Sequence, residues 1–474
     1  MFIGRERELQ KLNSMYAGNT FEFAVFYGRR RVGKTTLITE FIKNKHAIYY
    51  MASEGTQKEN LAGLSRAVLQ DNLGIGVDTA FRDFSALLDY IDTICNDRQL
   101  ILAVDEYPYL AASCPAISSL IQKHIDQCWK NSRLFLILCG SSMSFMEYQV
   151  LGYKSPLYGR RTAQFKIHPF TYFESRAMLD VYPAEEQAVL YGVTGGIPEY
   201  LSRLNLKKSM DENIVELFFQ ESGRLFEEPV NLLKQELKEP ATYHSMISAI
   251  AGGASRLNEI AVKTGLESSG CSNQMMNLIS LGIVRKETPV TEDGAGRKTL
   301  YRLEDNMFLF WYRFVRPNIS SIVRGNGEGI YEHVVKPELN DFMGRVFEEI
   351  CHQYLYLPNV YSKLPCFFGE IGRWWGNNPK EKKQEEIDIM AVQGNIALFG
   401  ECKWRNTKVS PNVLETLLRR SELFHYQEKQ YVIFSKSGFE QAVMKQAAIE
   451  QAKGNAVWLI SFDEMTGNEG QGMN

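Results

Sequence analysis

Apolar and polar positions along the chain follow two periods, and the period changes in blocks. FEFAVFY (21–27), LILAV (100–104) and LFLILCGSS (134–142) contain short apolar runs of strand length ended by glycine or polar residues. Such runs read as strands buried on both faces. LITEFIKN, which follows residue 36, reads as a helix, and helical stretches separate the strands that come after it. The first third is therefore expected to be α/β with a parallel sheet. Residues 206–240 are helical and charged, which suits a lid or linker. YHSMISAIAGG (243–253), SRLNEIAVKTGL (255–266) and SSGCSNQMMNLISLGIV (268–284) predict three amphipathic helices, and VRKETPVTEDGAGRKTLYRL (284–303) predicts a β-hairpin with a glycine-bearing tip. Three helices and a wing are the pattern of a winged helix-turn-helix.

Beyond the aromatic block MFLFWYRFVR (307–316), which predicts a docking segment, GRVFEEICHQYLY (344–356) opens a helix. EEIDIMAV (385–392) and NIALFGECKW (395–404) predict a second hairpin around Gln393-Gly394, and YVIFS (431–435) and VWLISF (457–462) would complete a second sheet. The expected domains are 1–205, 206–240, 241–305 and 306–464, with 465–474 a polar tail outside the fold.

The chemistry starts at GRRRVGKTT (28–36), which matches G-x-x-x-x-G-K-[ST] between a strand and a helix. Gly28 and Gly33 let backbone N–H groups approach phosphate oxygens, and the helix N-terminus adds its dipole. Lys34 is expected at the β- and γ-phosphates of ATP, and Thr35 on Mg²⁺. Arg29, Arg30, Arg31, Val32 and Thr36 complete the cradle, although the three arginines suit open solvent equally well. Asp105 ends the second strand, where a carboxylate orders the Mg²⁺ shell, and Glu106 stands where a general base polarises the attacking water. Ser141, at the tip of the third strand, is placed either to sense the γ-phosphate or to cap a helix. Lys34, Asp105 and Glu106 are the expected catalytic set.

IGRERE (3–8), the phosphate loop, VDE (104–106), CGSS (139–142), YGRR (158–161) and GGIP (195–198) occur here in an order that resembles the archaeal-type ATPases of the AAA+/STAND branch of P-loop proteins. That resemblance implies a GRE segment packed near the adenine and a nucleotide contact from the lid by Pro198. It also implies an arginine finger at Arg160 or Arg161, the alternative for both being a structural salt bridge.

In the C-terminal third, side-chain alternation tests the hairpin on paper. If residue 392 faces 395, then 388 faces 399, and Asp388, Phe399, Glu401 and Lys403 share one face while Ile387, Ile389, Leu398 and Cys402 point the other way. The resulting D-x₁₂-E-x-K pattern resembles the PD-(D/E)XK nuclease fold, a restriction-endonuclease-like α/β domain. The resemblance implies Asp388 and Glu401 on a second Mg²⁺ or Mn²⁺ and Lys403 beside the attacking water. Glu348 matches the helical acid that joins such a metal shell, with Glu349 as its fallback. Ile387 stands where the fold's name has proline. The alternative is a solvated sheet face without catalysis.

Charge tempers the nucleic-acid reading. Fifty-three Lys+Arg against 56 Asp+Glu give a net charge of −3, so no global positive field advertises DNA. Residues 241–303 carry seven basic and five acidic residues, and Ser269–Ser280 contains no Lys or Arg. Arg373, Lys380, Lys382, Lys383, Arg405 and Lys408 do gather in sequence around the D/E/K site, where a phosphate backbone would lie. The eight cysteines form no C-x-x-C and no zinc spacing with the seven histidines, which points to a reducing cytoplasm. No apolar run reaches the roughly 18–20 residues of a membrane span. The expected protein is a cytoplasmic ATP- and Mg²⁺-dependent switch coupled to a nuclease-like domain acting on DNA. The alternative is a regulatory ATPase whose C-terminal domain binds a protein partner, with a second copy of the chain as a further partner.

Overall fold

The computed structural model describes residues 2–73, 79–292 and 298–467. The expected glycine tip of the hairpin (293–297) and the expected tail from 468 onward lie outside the described residues, whereas 465–467 belong to the helix Phe462–Gly467. The chain forms two compact units, one of Met1–Phe170 with Ile197–Ser202 and one of Thr171–Gly196 with Arg203–Asn474. The expected boundary fell at 205, and the segment Thr171–Gly196 before it groups with the second unit. The helix Ala184–Thr194 is buried from Gln187 to its end, and its Tyr191 hydroxyl binds Glu349 and Gln353. Burial of this kind fixes it within the second unit.

The first unit is built on β1 (Glu22–Tyr27), β2 (Ala47–Met51), β3 (Leu100–Asp105), β4 (Leu134–Gly140) and β5 (Ala163–Lys166). All pairings are parallel, in the order β2-β3-β4-β1-β5. β3 and β4 are buried at every position, as expected of central strands covered by helices on both faces. The sheet brings the carboxyl ends of β1, β3 and β4 side by side, and the phosphate loop, Asp105 and Ser141 all follow those ends.

In the second unit the helices Pro240–Ala251, Leu257–Thr264 and Ser268–Ser280 precede an antiparallel pair, β6 (Val284–Glu287) and β7 (Leu300–Leu303). The arm beyond β6 lies against the edge of the larger sheet: the Val290 N–H donates to the Arg373 carbonyl at 2.9 Å, and the Trp375 indole donates to the Lys298 carbonyl at 3.0 Å. That sheet comprises β8 (Ile371–Asn378), β9 (Lys383–Gln393), β10 (Ile396–Lys403), β11 (Glu428–Ser435) and β12 (Ala456–Ser461), ordered β12-β11-β10-β9-β8. β8, β9 and β10 are antiparallel neighbours. The helices Pro411–Ser421 and Gln441–Ala452 are the crossovers that make β10, β11 and β12 parallel. The aromatic block 307–316 is helical and largely buried, with Trp311 Nε1 donating to the Phe226 carbonyl at 2.7 Å.

The β9–β10 register differs from the expected one by two residues. Gln393 pairs with Ile396, so Gly394 and Asn395 form the turn, with Gly394 at φ 58°. A shift of two keeps every β10 side chain on its face, but Asp388 now stands opposite Glu401, not Phe399. Alternation also breaks once. Gly372 pairs with Met390 and Trp374 with Ile387, so Asp388 and Ile389 together oppose the single residue Arg373, which is a β-bulge. Ile387 consequently joins Met390 and Phe399 in one core cluster, where strict alternation put Ile387 on the opposite face.

Gly400 lies in the middle of this sheet. A Cβ there would meet Ile389 Cβ and Val432 Cγ1, each at 2.8 Å. Gly400→Ala is expected to destabilise the second unit by about 1–3 kcal/mol through overpacking, read as a lower denaturation midpoint with native-like circular dichroism retained.

Candidate functional site

Two groups of the expected residues come together, one in each unit. In the first, the chain leaves β1 through Gly28 (φ 153°) and turns through Arg31 (φ 71°) and Gly33 (φ 88°) into the helix Lys34–Ile42. A Cβ at Gly28 would stand 2.3 Å from the Ile167 carbonyl oxygen, whereas one at Gly33 would meet nothing within 4 Å. Gly28 is therefore demanded by close backbone approach and Gly33 by its left-handed φ. The Lys34 ammonium is buried and donates to the Gly28 and Arg29 carbonyls at 2.9 and 2.8 Å. The lysine thus closes the loop over the space it is suited to share with phosphate.

The Asp105 carboxylate is 1% exposed. It accepts from Thr35 Oγ1 at 2.6 Å and from the Tyr49 hydroxyl at 2.9 Å through one oxygen, and from the Glu106 N–H at 2.9 Å through the other. Hydroxyl, carboxylate and loop amides are the hard oxygen and N–H set that suits Mg²⁺ and a triphosphate. Glu106 sits in the left-handed region at φ 49°, and its carboxylate accepts from both Ser141 Oγ (2.9 Å) and the Ser141 N–H (3.3 Å). Burial and the Asp105 charge raise the Tyr49 phenol well above its usual range, so it acts as a donor.

Two more expected segments reach this loop. Arg5, in the GRE segment, donates to the Val32 carbonyl at 3.2 Å and to the His168 carbonyl. Pro198 opens the helix Pro198–Leu201, the Glu199 N–H donates to the Arg31 carbonyl at 3.4 Å, and Tyr200 faces the Arg31 guanidinium at 5.7 Å. Arg30 donates to the Tyr109 hydroxyl at 3.1 Å. Thr36 lies in the first turn of the helix. Arg160, by contrast, grips Asp126 through two hydrogen bonds of 2.9 and 2.7 Å, which is the salt-bridge alternative to a finger.

In the second unit Glu348, Asp388, Glu401, Lys403, Arg405 and Arg420 line one cleft of about 470 Å³. Glu348 comes from the long helix Lys336–Leu355, Asp388 from the β9 bulge, and Glu401 and Lys403 from β10. Lys403 Nζ lies 2.5 Å from Glu401 and 3.8 Å from Asp388. Asp388 also accepts from the Cys402 N–H at 3.0 Å. Arg420 reaches the second Glu401 oxygen at 3.2 Å, and Arg373 approaches Glu348 at 3.5 Å. Glu349 turns instead to Tyr191, Asn306 and Gln353, so Glu348 is the acid of the cleft.

Sequence reasoning missed Tyr49 and Arg420. Tyr49 falls in a short strand without a motif, and Arg420 in the last turn of an amphipathic helix. Of the basic residues gathered in sequence, Lys383 is tied to Glu381 and Glu385 at 2.5 and 3.3 Å.

The loop, the carboxylate at the end of β3 and the serine at the end of β4 define a P-loop ATPase domain. Residues 2–204 match the model of a family described as an ATPase domain predominantly from Archaea, and residues 311–414 match a family of archaeal and bacterial proteins of unknown function. An uncharacterised protein of Methanocaldococcus jannaschii is 35% identical over 445 residues, 92% of this chain and 96% of that one. An uncharacterised ATP-binding protein of the same organism is 47% identical over 45 residues, 10% of this chain and 76% of that one. The solved structure of a Walker-type ATPase of Pyrococcus abyssi is similar with a TM-score of 0.48 at 20% identity, covering 66% of this chain and 96% of that chain. The chain belongs to the same family as this M. jannaschii relative, and its residues 2–204 are an archaeal-type ATPase domain. Among the described residues, no helix is long and apolar enough to cross a membrane.

Burial, then the neighbouring Asp388, push the Glu401 carboxyl up to about 7, against the pull of Lys403 and Arg420. The raised value means that the folded chain keeps a proton the unfolded chain releases near 4.5. This contribution to stability is fully present below pH 4.5 and is lost as the pH rises to about 7. Glu401→Gln, which cannot titrate, is expected to flatten that fall by an amount on the order of 1–3 kcal/mol, measured from urea midpoints across the window.

Proposed function

We propose that the chain is an ATP-hydrolysing switch that governs a Mg²⁺-dependent nuclease-like centre in its C-terminal part, acting on DNA. The observation that carries this reading is the convergence of Glu348, Asp388, Glu401 and Lys403, from three elements, in one cleft. In the first unit, Mg²⁺ held by Thr35 and Asp105 supplies charge neutralisation at the β- and γ-phosphates. Lys34 and the loop amides bind and orient those phosphates, and Pro198 closes the nucleotide site. Glu106 takes the proton of the attacking water once Ser141 releases it, and Ser141 is then placed to report the γ-phosphate.

In the cleft, a divalent ion at Asp388 and Glu401, joined by Glu348, supplies Lewis-acid activation of a phosphodiester. Lys403 orients the attacking water, while Arg405 and Arg420 offer charge to the backbone phosphates. The three helices from 240 to 280 with β6 and β7 form a winged helix-turn-helix in this reading. Its arm is engaged with β8, and its third helix, Ser268–Ser280, has no Lys or Arg, so it serves as a regulatory surface and not as a DNA reader.

One observation favours the second reading, a regulatory ATPase with a binding module. Glu348, Asp388 and Glu401 do not gather as a group within 4.8 Å of one another, and each already has a cation or N–H beside it. The test is incubation of the full chain with supercoiled and branched DNA and Mg²⁺ or Mn²⁺, with and without ATP. Lys403→Ala is expected to lower cleavage by about 10²-fold or more and to leave ATP hydrolysis intact. Lys34→Ala should abolish hydrolysis and, if ATP commands the centre, cleavage as well. A wild-type protein that hydrolyses ATP but cuts no substrate under any condition would sink the nuclease and leave the binding module.

A further inference from the structure

The first unit holds a second set of metal-ligating groups, on helices that take no part in nucleotide binding. Asp89 and Asp92 lie one turn apart on the helix Phe84–Asp97, and His124 lies in the last turn of the helix Ile117–Gln127. One ligand atom from each comes within 4.8 Å of the others, and among the described residues this is the group of acids, histidines and cysteines that does so.

The histidine gives the cluster a direction. Its side chain is 4% exposed, and its Nδ1 lies 3.1 and 3.0 Å from the two Asp92 oxygens. Asp92 is further fixed by the Trp129 indole N–H at 2.5 Å. A carboxylate at Nδ1 holds the proton on that nitrogen and leaves the Nε2 lone pair outward, the arrangement that orients a metal-binding imidazole. Nε2 is buried and has no hydrogen-bond partner. It faces Asp89 Oδ1 at 3.8 Å, so an acceptor nitrogen and a carboxylate oxygen confront each other across a gap too wide for a hydrogen bond. Bonds of about 2.0–2.2 Å from nitrogen and oxygen to one zinc ion span such a gap at an angle of roughly 120–145°, so a small approach of the exposed Asp89 side chain would bring it to the tetrahedral value. Asp89 is mostly exposed, which leaves the outer side open to water ligands. Cys128 caps the same helix one turn beyond His124, its N–H donating to the His124 carbonyl at 2.9 Å.

We propose that His124 Nε2 and Asp89 are direct ligands of a zinc-class divalent ion that clips these two helices together, with Asp92 holding the imidazole from behind. The ligands are nitrogen and carboxylate oxygen with a thiol nearby, a set that suits zinc or cobalt better than magnesium. The cluster lies toward the amino ends of β3 and β4: Cys95, on the helix of Asp92, accepts from the Arg133 N–H just before β4, and Trp129 accepts from Ser132. The nucleotide groups are at the opposite, carboxyl ends. The ion would therefore act on stability and not on hydrolysis.

The test uses the full chain stripped with a chelator and titrated with Zn²⁺ by calorimetry, alongside thermal melts with and without Zn²⁺. Wild type is expected to bind one equivalent that both Asp89→Asn and His124→Gln lose or bind at least about tenfold more weakly. Its melting temperature should rise with Zn²⁺, and the rise should vanish in the variants, with ATP hydrolysis unchanged. Because His124 is buried, Asp89→Asn at an exposed position keeps the test intact if the histidine variant fails to fold. Zn²⁺ stoichiometry and affinity in Asp89→Asn equal to those of wild type would overturn the proposal, as would the absence of any Zn²⁺ binding by wild type.

Discussion

A carboxylate as deeply buried as Asp105 costs several kcal/mol unless donors replace its water. Three donors do so: the Thr35 hydroxyl from the phosphate-loop helix, the Tyr49 hydroxyl from β2 and the Glu106 amide that follows β3. Satisfying one side chain therefore fixes three segments of the first unit against each other. The strand order makes this possible. β4 lies between β1 and β3, so Ser141 at its tip stands between the phosphate loop and Glu106 and reaches the glutamate through both its amide and its hydroxyl. The nucleotide site is thus a property of the sheet as much as of the loop motif.

The cleft of the second unit obeys the same requirement by different means. Asp388 and Glu401 are also buried and Glu348 half-buried, but these acids are balanced mainly by charge: Lys403 and Arg420 on Glu401, Lys403 on Asp388, and Arg373 with Arg302 on Glu348. The bulge in β9 is what makes this convergence possible. By setting two residues against Arg373, it returns Ile387 to the core while Asp388 lines the cleft, where uninterrupted alternation would have kept them in a fixed opposition.

Much of this was legible wherever the signal is local. GRRRVGKTT carries its own strand and helix, and the acids after LILAV stand next to the carboxyl end of a strand that could hardly be anything else. The D-x₁₂-E-x-K spacing located the acids and the lysine even though the assumed register was two residues off, because an even slip preserves the face. The bulge was not legible, since it depends on how β8 pairs with β9 and no residue in EEIDIMAV marks it. The Asp126 partner of Arg160 is 34 residues distant in sequence, and the choice between finger and salt bridge required knowing that the two meet. His124 escaped for the same reason. Its carboxylate partners lie on another helix at a separation that matches no zinc spacing, so the cysteine and histidine arithmetic excluded it.

The two ways of satisfying a buried acid have different consequences for binding a cation. Around Asp105 the donors are neutral hydroxyls and an amide. When a hard cation takes the carboxylate, Thr35 can turn its oxygen lone pairs toward the same ion, and no charge is stranded. In the cleft the partners are themselves cations. A divalent ion approaching Asp388 and Glu401 must displace Lys403 or share the acids with it, and a displaced ammonium in a buried site needs a new counter-charge. In the proposed reading a phosphodiester entering with the ion would supply that charge, because its oxygens could accept from Lys403 and Arg420 while the carboxylates held the metal. Under the proposed nuclease reading, metal and nucleic acid would bind the cleft cooperatively, each removing the penalty that the other would meet alone, whereas the proposed nucleotide site would load its ion with the nucleotide's own charge already balanced by Lys34 and the loop amides.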